Sequence, residues 1–287
     1  MKRNVETFIG CDSSYEESKI VLFGAPFDST TSFRPGARFG SSAMRHESFG
    51  LETYSPYQNL DLTDFHTFDS GDLELCFGNT EKVLEDIEGR AEEILSDGKL
   101  PVLLGGEHLV TLGAVRAVWK HFPDLHVIQF DAHADLRDDY LGERFSHAAV
   151  MRRCHDLLGD GRIHQFCIRS GERTEFQFSE EHTDMHPFDF QGLAELTEKL
   201  AAEDKPVYLT IDLDCLDPSV FPGTGTPEAG GVSFVQLLAA IRKAASARVV
   251  GADLNELAPM LDASGVSTAV ACKTLRELLL ALHGNKR

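Results

Sequence analysis

Basic residues are scarce in this 287-residue chain, and their scarcity argues against two classes of partner. The chain has 27 Lys and Arg against 46 Asp and Glu, which gives a formal net charge of −19 at pH 7. A field of this sign repels nucleic acids and anionic membranes, so we expect neither as a partner. It would instead draw in a cationic substrate.

Long apolar runs and closely paired cysteines are also missing. No run reaches the roughly 20 residues of a membrane-spanning helix, and residues 1–6 lead into polar residues rather than the apolar core of a signal peptide. The six cysteines are scattered without a Cys-x-x-Cys pair, and several lie in apolar segments, as buried thiols do. We therefore expect a reduced, cytoplasmic protein.

Short apolar runs alternate with longer amphipathic stretches from one end of the chain to the other. The runs predict strands at residues 20–23, 66–68, 100–104, 125–130, 163–168, 206–211 and 249–252. The amphipathic stretches predict helices at 41–47, 80–96, 109–121, 147–158, 191–202, 233–245 and 267–283. This alternation is typical of an α/β fold with a mostly parallel sheet and helices on both faces. No linker or internal repeat divides the chain, so we predict a single domain over residues 1–287.

Three potential metal ligands alternate directly after the predicted strand 125–130, namely Asp131, His133 and Asp135. A strand points every second side chain the same way, so ligands that alternate at its end converge on one point. Asp212 and Asp214 repeat the pattern after the strand 206–211. Two acids on one face of a buried strand end need a cationic partner, and we predict a metal rather than a turn-capping role.

A third strand end carries His108, which follows the predicted strand 100–104 and the pair Gly105-Gly106. Paired glycines allow a tight turn or a close backbone approach. Sites in parallel sheets form at the carboxyl ends of the strands, where all three motifs lie. The predicted metal ligands are four carboxylates and two imidazoles: His108, Asp131, His133, Asp135, Asp212 and Asp214.

This oxygen-rich ligand set without a thiolate disfavours a structural zinc site. It favours hard or borderline divalent ions, Mn²⁺ foremost, with Fe²⁺, Mg²⁺ or Co²⁺ as alternatives. Six ligands are too many for one ion with open positions, but they suit two ions that share bridging carboxylates and a water. We therefore expect a two-metal hydrolase.

Three segments together resemble the signature motifs of the ureohydrolase family, which includes arginase, agmatinase, guanidinobutyrase and formiminoglutamase. They are Gly-Gly-Glu-His at 105–108, Asp-Ala-His-Ala-Asp at 131–135 and Thr-Ile-Asp-Leu-Asp-Cys-Leu-Asp-Pro at 210–218. The resemblance covers essentially the whole chain, including the loops at 32–40, 222–227 and 255–259. Segments 51–57 and 77–79 are similar to those of the bacterial agmatinase branch.

The resemblance implies an arginase-like three-layer α/β/α fold, a centre of two Mn²⁺ ions per subunit and a trimeric or hexameric homo-oligomer. It places His108 and Asp135 on one ion, with Asp131 as one of two bridges between the ions. By the same resemblance His133 and Asp214 hold the other ion, and Asp212 is the second bridge.

Three positions depart from the family pattern. Glu107 replaces the more usual Asp before the histidine, in a position that does not contact the ions in the family. Ala134 stands where Thr is common, and the segment 146–150 departs from the usual sequence after its Ser-His pair. His147 itself is present.

The expected reaction is hydrolysis of a guanidinium group, whose carbon is a poor electrophile because its charge is delocalised. Two ions sharing a water can supply hydroxide, since metal binding lowers the pKa of water from about 16 towards about 7. His147 is the candidate acid or proton shuttle for the leaving amine, with a structural histidine at a helix N-terminus as the alternative. Glu256 would pair with the guanidinium through two parallel hydrogen bonds, unless it is an ordinary surface glutamate. With the bridging Asp131, these two complete the predicted catalytic set.

The choice of substrate depends on the loop after the metal ligands. Asp138 and Asp139 suit an ammonium tail, as does the net charge, whereas Arg137 could bind a carboxylate or simply pair with a neighbouring acid. We predict agmatine, hydrolysed to putrescine and urea in polyamine biosynthesis. The alternatives are another ureohydrolase specificity (guanidinobutyrase, arginase or formiminoglutamase), a metal-dependent deacetylase with one Zn²⁺, or a non-catalytic scaffold.

Overall fold

The computed structural model describes residues 6–284. Its strands are β1 (Ile20–Ala25), β2 (Tyr54–Ser55), β3 (Leu60–Asp61), β4 (Thr67–Asp72), β5 (Leu100–Gly105), β6 (His126–Phe130), β7 (Ile163–Ile168), β8 (Asp184–Pro187), β9 (Pro206–Asp212) and β10 (Arg248–Asn255). Its α-helices are α1 (Gly40–Glu47), α2 (Thr80–Ser96), α3 (Val110–His121), α4 (Val150–Leu158), α5 (Arg173–His182), α6 (Leu193–Ala202), α7 (Phe234–Ala244) and α8 (Val266–Gly284).

Eight of the strands form one sheet in the order β4-β1-β5-β10-β9-β6-β7-β8. Every neighbouring pair in this sheet is parallel. The short strands β2 and β3 pair with each other in an antiparallel hairpin outside it. The prediction of a mostly parallel sheet is therefore confirmed.

Two layers of helices cover the sheet, one on each face. Helices α2, α3 and α4 pack in sequence against one face, while α1, α8, α7 and α6 pack against the other. The strands supply both cores by alternation, as successive side chains of a strand must. In β1, for example, Val21 and Phe23 enter the core beneath α2 and α3, and Ile20 and Leu22 enter the opposite one. This is the expected three-layer α/β/α arrangement.

The prediction of a single domain extends to residues 1–5 and 285–287, which lie outside the described part of the chain, so it stays a prediction. The longest helix, α8, has 19 residues and is largely buried. Among residues 6–284 no helix is both long enough and apolar enough to cross a membrane.

Several boundaries differ from the sequence prediction for physical reasons. Helix α5 and the edge strand β8 were not predicted, because residues 173–187 are too polar to show a clear apolar period. Helix α2 is capped by Asn79, whose side chain accepts a hydrogen bond from Lys82 N. Ser233 caps α7 as its sequence indicates, in a reciprocal pair with Gln236.

Candidate metal centre

Three of the four central strands, β5, β6 and β9, bring all six predicted ligands to one place. Strands β5, β10, β9 and β6 are neighbours, and the residues that follow their carboxyl ends meet above the middle of the sheet. This edge is where parallel sheets commonly form sites. The ligands are buried or nearly so; His133 has the most exposed side chain, at 26%.

The ligand atoms form two groups that share one residue. His108, Asp131 and Asp212 each offer an atom within 4.8 Å of the others, and so do Asp131, His133 and Asp214. The carboxylate common to both groups is Asp131, as expected of a residue that bridges two ions.

In the first group, Nδ1 of His108 lies 2.8 Å from Asp131 Oδ2, 3.1 Å from Asp135 Oδ2 and 3.4 Å from Asp212 Oδ2. In the second, Nδ1 of His133 lies 3.0 Å from Asp214 Oδ2 and 3.6 Å from Asp131 Oδ1. Asp212 belongs to the first group, and its Oδ1 accepts a hydrogen bond of 2.8 Å from Asp214 N. The second bridging role given to Asp212 thus stays a prediction.

Two buried ligand atoms indicate that a cation belongs here. Within residues 6–284, His108 Nδ1 and Asp214 Oδ2 are buried and have no hydrogen-bond partner. The short approach of His108 Nδ1 to Asp131 lacks the alignment of a hydrogen bond, and buried polar atoms are rarely left unsatisfied. Imidazole and carboxylate donors without thiolate suit Mn²⁺ and similar divalent ions. The residues present therefore fit a two-ion centre.

Burial and mutual repulsion displace the protonation equilibria of several of these side chains. Burial raises the pKa of Asp212 well above its usual range, and repulsion by Asp214 adds to the effect. Burial and then the charge of Asp131 raise the pKa of Asp135 to about 7. Burial opposes protonation of His108, but Asp131 and Asp135 outweigh it and raise its pKa. A divalent ion would satisfy these carboxylates in their charged form.

Backbone geometry holds the ligands in place. His133 N donates to Asp131 Oδ1 at 2.6 Å, and Ala132 N donates to Asp214 Oδ1 at 3.1 Å, so the two ligand loops are tied to each other. Asp135 and Glu256 have φ angles of +54° and +67°. Non-glycine residues adopt this left-handed region at a cost, and such strain is concentrated at functional sites.

The paired glycines before His108 permit close packing, as predicted. A Cβ at Gly105 would lie 1.9 Å from Asn255 Oδ1, and one at Gly106 would lie 1.9 Å from the carbonyl oxygen of Phe27. Side chains at either position would push β5 away from β10 or from the loop after β1. Both glycines therefore act by giving room to neighbours of the ligand His108.

A buried hydrogen-bond relay behind His108 was not predicted from the sequence. His108 Nε2 lies 2.8 Å from Thr210 Oγ1, and the Thr210 hydroxyl in turn bonds the carboxylate of Asp253. Tyr208 OH donates to Asp253 Oδ2 at 2.7 Å, and Asn255 Nδ2 donates to its Oδ1 at 2.8 Å. Because Nε2 is the donor in this relay, Nδ1 of His108 is the nitrogen left to bind a metal.

Glu256 and His147 lie beside the two ligand groups, as predicted. Glu256 is 2% exposed, and its Oε1 accepts a hydrogen bond of 2.8 Å from His108 N. His147 Nδ1 is 3.9 Å from Glu256 Oε1, and His147 Nε2 accepts a hydrogen bond of 3.1 Å from Ser32 N. Burial, and then the nearby His133 and His108, lower the pKa of His147 to about 4. His147 is therefore neutral at pH 7, with its proton on Nδ1.

Glu107, the residue before His108, holds the loop that contains Thr30 and Thr31. It is fully buried and accepts hydrogen bonds from Thr30 N at 2.8 Å, from the Thr30 hydroxyl and from Thr31 Oγ1 at 3.2 Å. Burial raises the pKa of Glu107 to about 7. Thr30 Oγ1 also accepts from His147 N at 3.0 Å. Glu107 thus fixes the loop that positions His147.

A cavity of about 260 Å³ opens beside the ligands, and the predicted tail-binding residues do not line it. Asp138 instead pairs with Arg153 at 2.8 Å, and Asp139 accepts from Gly142 N within its own turn. The acidic side chains that do line the cavity, apart from the ligand Asp135, are Glu172 and Glu175.

Arg137 also lines the cavity, but acidic neighbours hold it. Its Nη1 is 3.0 Å from Glu172 Oε1, its Nε is 3.5 Å from Glu175 Oε2, and its guanidinium stacks 4.6 Å from the ring of Tyr140. The predicted pairing of Arg137 with an acid is therefore present, although the partners lie 35 and 38 residues along the chain rather than beside it in the loop.

Comparison with known proteins agrees with this geometry. The Arginase family model matches residues 18–281. An agmatinase of Bacillus subtilis is 46% identical over 280 residues, covering 96% of both chains. An N(1)-aminopropylagmatine ureohydrolase of Thermococcus kodakarensis is 38% identical over 250 residues, covering 85% of this chain and 84% of that one. A crystal structure from Clostridium difficile, provisionally assigned as an agmatinase, is 49% identical with a TM-score of 0.91, covering 94% of this chain and 98% of that one.

The chain therefore belongs to the arginase family. It is a ureohydrolase, an enzyme that hydrolyses guanidino C–N bonds. Within the family it is similar to the bacterial agmatinases.

Proposed function

We propose that this protein hydrolyses agmatine to putrescine and urea with two Mn²⁺ ions held by the six ligands. The proposal rests chiefly on Asp131, which belongs to both ligand groups. The cavity beside these groups is lined by Arg137, which already pairs with Glu172. Bound there, the two ions would supply a hydroxide nucleophile at neutral pH.

Glu256 is suited to orient the guanidinium. Its carboxylate is buried beside the ligand groups, and it is held by the backbone N–H of His108. Burial raises the pKa of Glu256, and repulsion by Glu107 adds to the effect, so a cationic guanidinium would favour the ionised form. A planar guanidinium donates two parallel hydrogen bonds to a carboxylate, which would fix the angle at which its carbon is attacked.

His147 is suited to carry the proton that the leaving amine needs. Its Nδ1–H faces Glu256, and its Nε2 is within hydrogen-bonding distance of both the backbone N–H and the hydroxyl of Ser32. A neutral imidazole can take a proton at one nitrogen and release one at the other. The ring also lines the cavity, so substrate amine and imidazole would share one space.

The distal ammonium of agmatine would lie near Glu172. The Glu172 carboxylate lines the cavity and its side chain is 57% exposed, whereas that of Glu175 is 3% exposed and accepts backbone hydrogen bonds. To bind a substrate carboxylate, Arg137 would have to break its ion pairs with Glu172 and Glu175. This requirement disfavours arginine and guanidinobutyrate at this position. The net charge of −19 adds a general attraction for a dication.

Urea release from agmatine, arginine and guanidinobutyrate, measured in parallel with Mn²⁺, tests the proposal. We expect the highest kcat/KM with agmatine. Replacing Glu172 by Gln should raise KM for agmatine, whereas Glu180→Gln on the exposed face of α5 is the matched control and should leave it unchanged. A preference for guanidinobutyrate or arginine would reject agmatine as the substrate without affecting the family assignment. We also propose a homo-oligomer, a trimer or hexamer, as the family resemblance implies.

A further inference from the structure

A second group of potential metal ligands lies away from the catalytic centre. His155 is in the last turn of α4, Asp160 is in the loop that follows, and His182 is the last residue of α5. Each offers one ligand atom, and the three atoms lie within 4.8 Å of one another. His155 lies eight residues beyond His147, along the turn His147–Ala149 and then α4, which corresponds to on the order of 12 Å, so the group does not belong to the catalytic cavity.

The two imidazoles converge on one carboxylate oxygen. His155 Nε2 is 2.8 Å and His182 Nδ1 is 2.7 Å from Asp160 Oδ1. The catalytic centre shows the same crowding, with 2.8 to 3.4 Å between His108 Nδ1 and its carboxylates. In both places, side chains from separate segments direct nitrogen and oxygen donors at one point.

The rings are held in place by packing. Phe178 contacts both imidazoles, with centroid distances of 5.0 Å to His155 and 4.2 Å to His182. The side chain of His155 is 15% exposed and that of His182 is 31% exposed. The Asp160 side chain is 67% exposed, so an ion can reach the group directly from solvent. Little side-chain entropy would be lost at the histidines on binding.

The surrounding backbone favours a positive charge. His155 and His182 lie in the last turns of their helices, where the helix dipole presents its negative end. The adjacent Arg152 is already engaged, since its guanidinium stacks 4.0 Å from the Phe178 ring. Two imidazoles with one carboxylate are typical ligands of borderline divalent ions, which bind nitrogen more strongly than Mg²⁺ or Ca²⁺ do.

We propose that His155, Asp160 and His182 form a second metal site, which takes one Zn²⁺ or similar borderline divalent ion. The ion would link the carboxyl ends of α4 and α5. The opposite ends of these helices carry cavity residues, because the short turn His147–Ala149 leads into α4 and Glu172 caps α5. The site thus clamps two elements of the cavity wall from their far ends.

Zinc binding to the Mn²⁺-loaded protein tests this site. Equilibrium dialysis with metal analysis should find one more Zn²⁺ per chain in the wild type than in His182→Ala or Asp160→Asn. His121→Ala, which removes a surface histidine paired with Glu92, is the control and should behave like the wild type. Any exchange of Zn²⁺ into the catalytic centre is common to all four proteins, so the difference between them reports on this group.

Thermal unfolding gives an independent readout. At a Zn²⁺ concentration about a hundredfold above Kd, the Tm of the wild type should rise by about 5 °C more than that of either variant. Equal Zn²⁺ content and equal Tm shifts in all four proteins would overturn the proposal and leave only a hydrogen-bonded His-Asp-His group. If His182→Ala does not fold, the comparison of Asp160→Asn with the wild type is sufficient, because the exposed Asp160 side chain can change without disturbing the core.

Discussion

Removing the Thr210 hydroxyl should weaken metal binding at the His108 side of the centre without removing a ligand. Thr210→Val keeps the shape of the side chain but leaves His108 Nε2–H with no acceptor. In the metal-free protein His108 can give up its Nε2 proton and keep one at Nδ1, where the carboxylates of Asp131 and Asp135 lie 2.8 and 3.1 Å away. Bound metal forbids this, because Nδ1 must then be free of its proton. The free-energy cost of the unsatisfied Nε2–H therefore falls on the metal-bound protein.

An unsatisfied buried donor costs about 1–3 kcal/mol. Loss of such partners behind a ligand typically lowers metal affinity about 10- to 100-fold, which corresponds to roughly 1.4–2.7 kcal/mol. Asp253→Asn should act in the same direction, since Tyr208 and Asn255 both donate to this carboxylate and an amide NH₂ would face one of those donors.

Titration of the metal-free protein with Mn²⁺, with the free ion followed by electron paramagnetic resonance, measures this effect. We expect one of the two dissociation constants to rise about 10- to 100-fold in Thr210→Val. Thr197→Val is the matched control, because Thr197 is equally buried in α6 and bonds only helix carbonyls. If both constants of Thr210→Val equal those of the wild type, the relay does not tune the metal site.

The remaining predictions concern three other histidines. His147→Asn should lower kcat by about 10²- to 10⁴-fold with unchanged metal content, since we propose that His147 carries a proton and does not bind an ion; an unchanged kcat in steady-state assays would rule that role out. His133→Ala should abolish urea release and lower Tm in the presence of Mn²⁺, and turnover like that of the wild type would refute the ligand assignment. Burial, and then the charges of His164 and Arg162, lower the pKa of His126 to about 4, from about 6.5 in the unfolded chain. Protonation of His126 therefore favours unfolding, and stability should fall as pH drops from about 6.5 towards 4. The slope cannot exceed about 1.4 kcal/mol per pH unit, since only one proton binds, and the partial exposure of the ring lowers it further. Denaturant unfolding at pH 7 and 5 should show a smaller loss in His126→Gln, and an equal loss would contradict this assignment.

The meeting of the six candidate ligands could be predicted because the information that places them is local. Asp131, His133 and Asp135 follow one buried strand, and parallel strand ends meet at one edge of the sheet whatever the connections between them. His108 and Asp212 required only the same argument at two further strands. The family resemblance then separated the ligands by role, and the shared Asp131 of the two groups agrees with it.

The rest of the site depends on contacts that residue order does not reveal. Thr210 and Asp253 meet because β9 and β10 pair in register, although 43 residues separate them in the chain. Asp138 follows the ligands closely in sequence, yet its loop turns it to Arg153 and away from the cavity. Glu172 reaches the cavity from the start of α5, a helix that the polar sequence concealed.

Stepwise addition of Mn²⁺ to the metal-free protein, with urea release from agmatine followed at each step, tests whether a two-ion centre hydrolyses agmatine. We expect activity to rise with occupancy and to reach its full value at two bound ions per chain. Full activity at one bound ion, or two bound ions with no urea formed from agmatine, would contradict it.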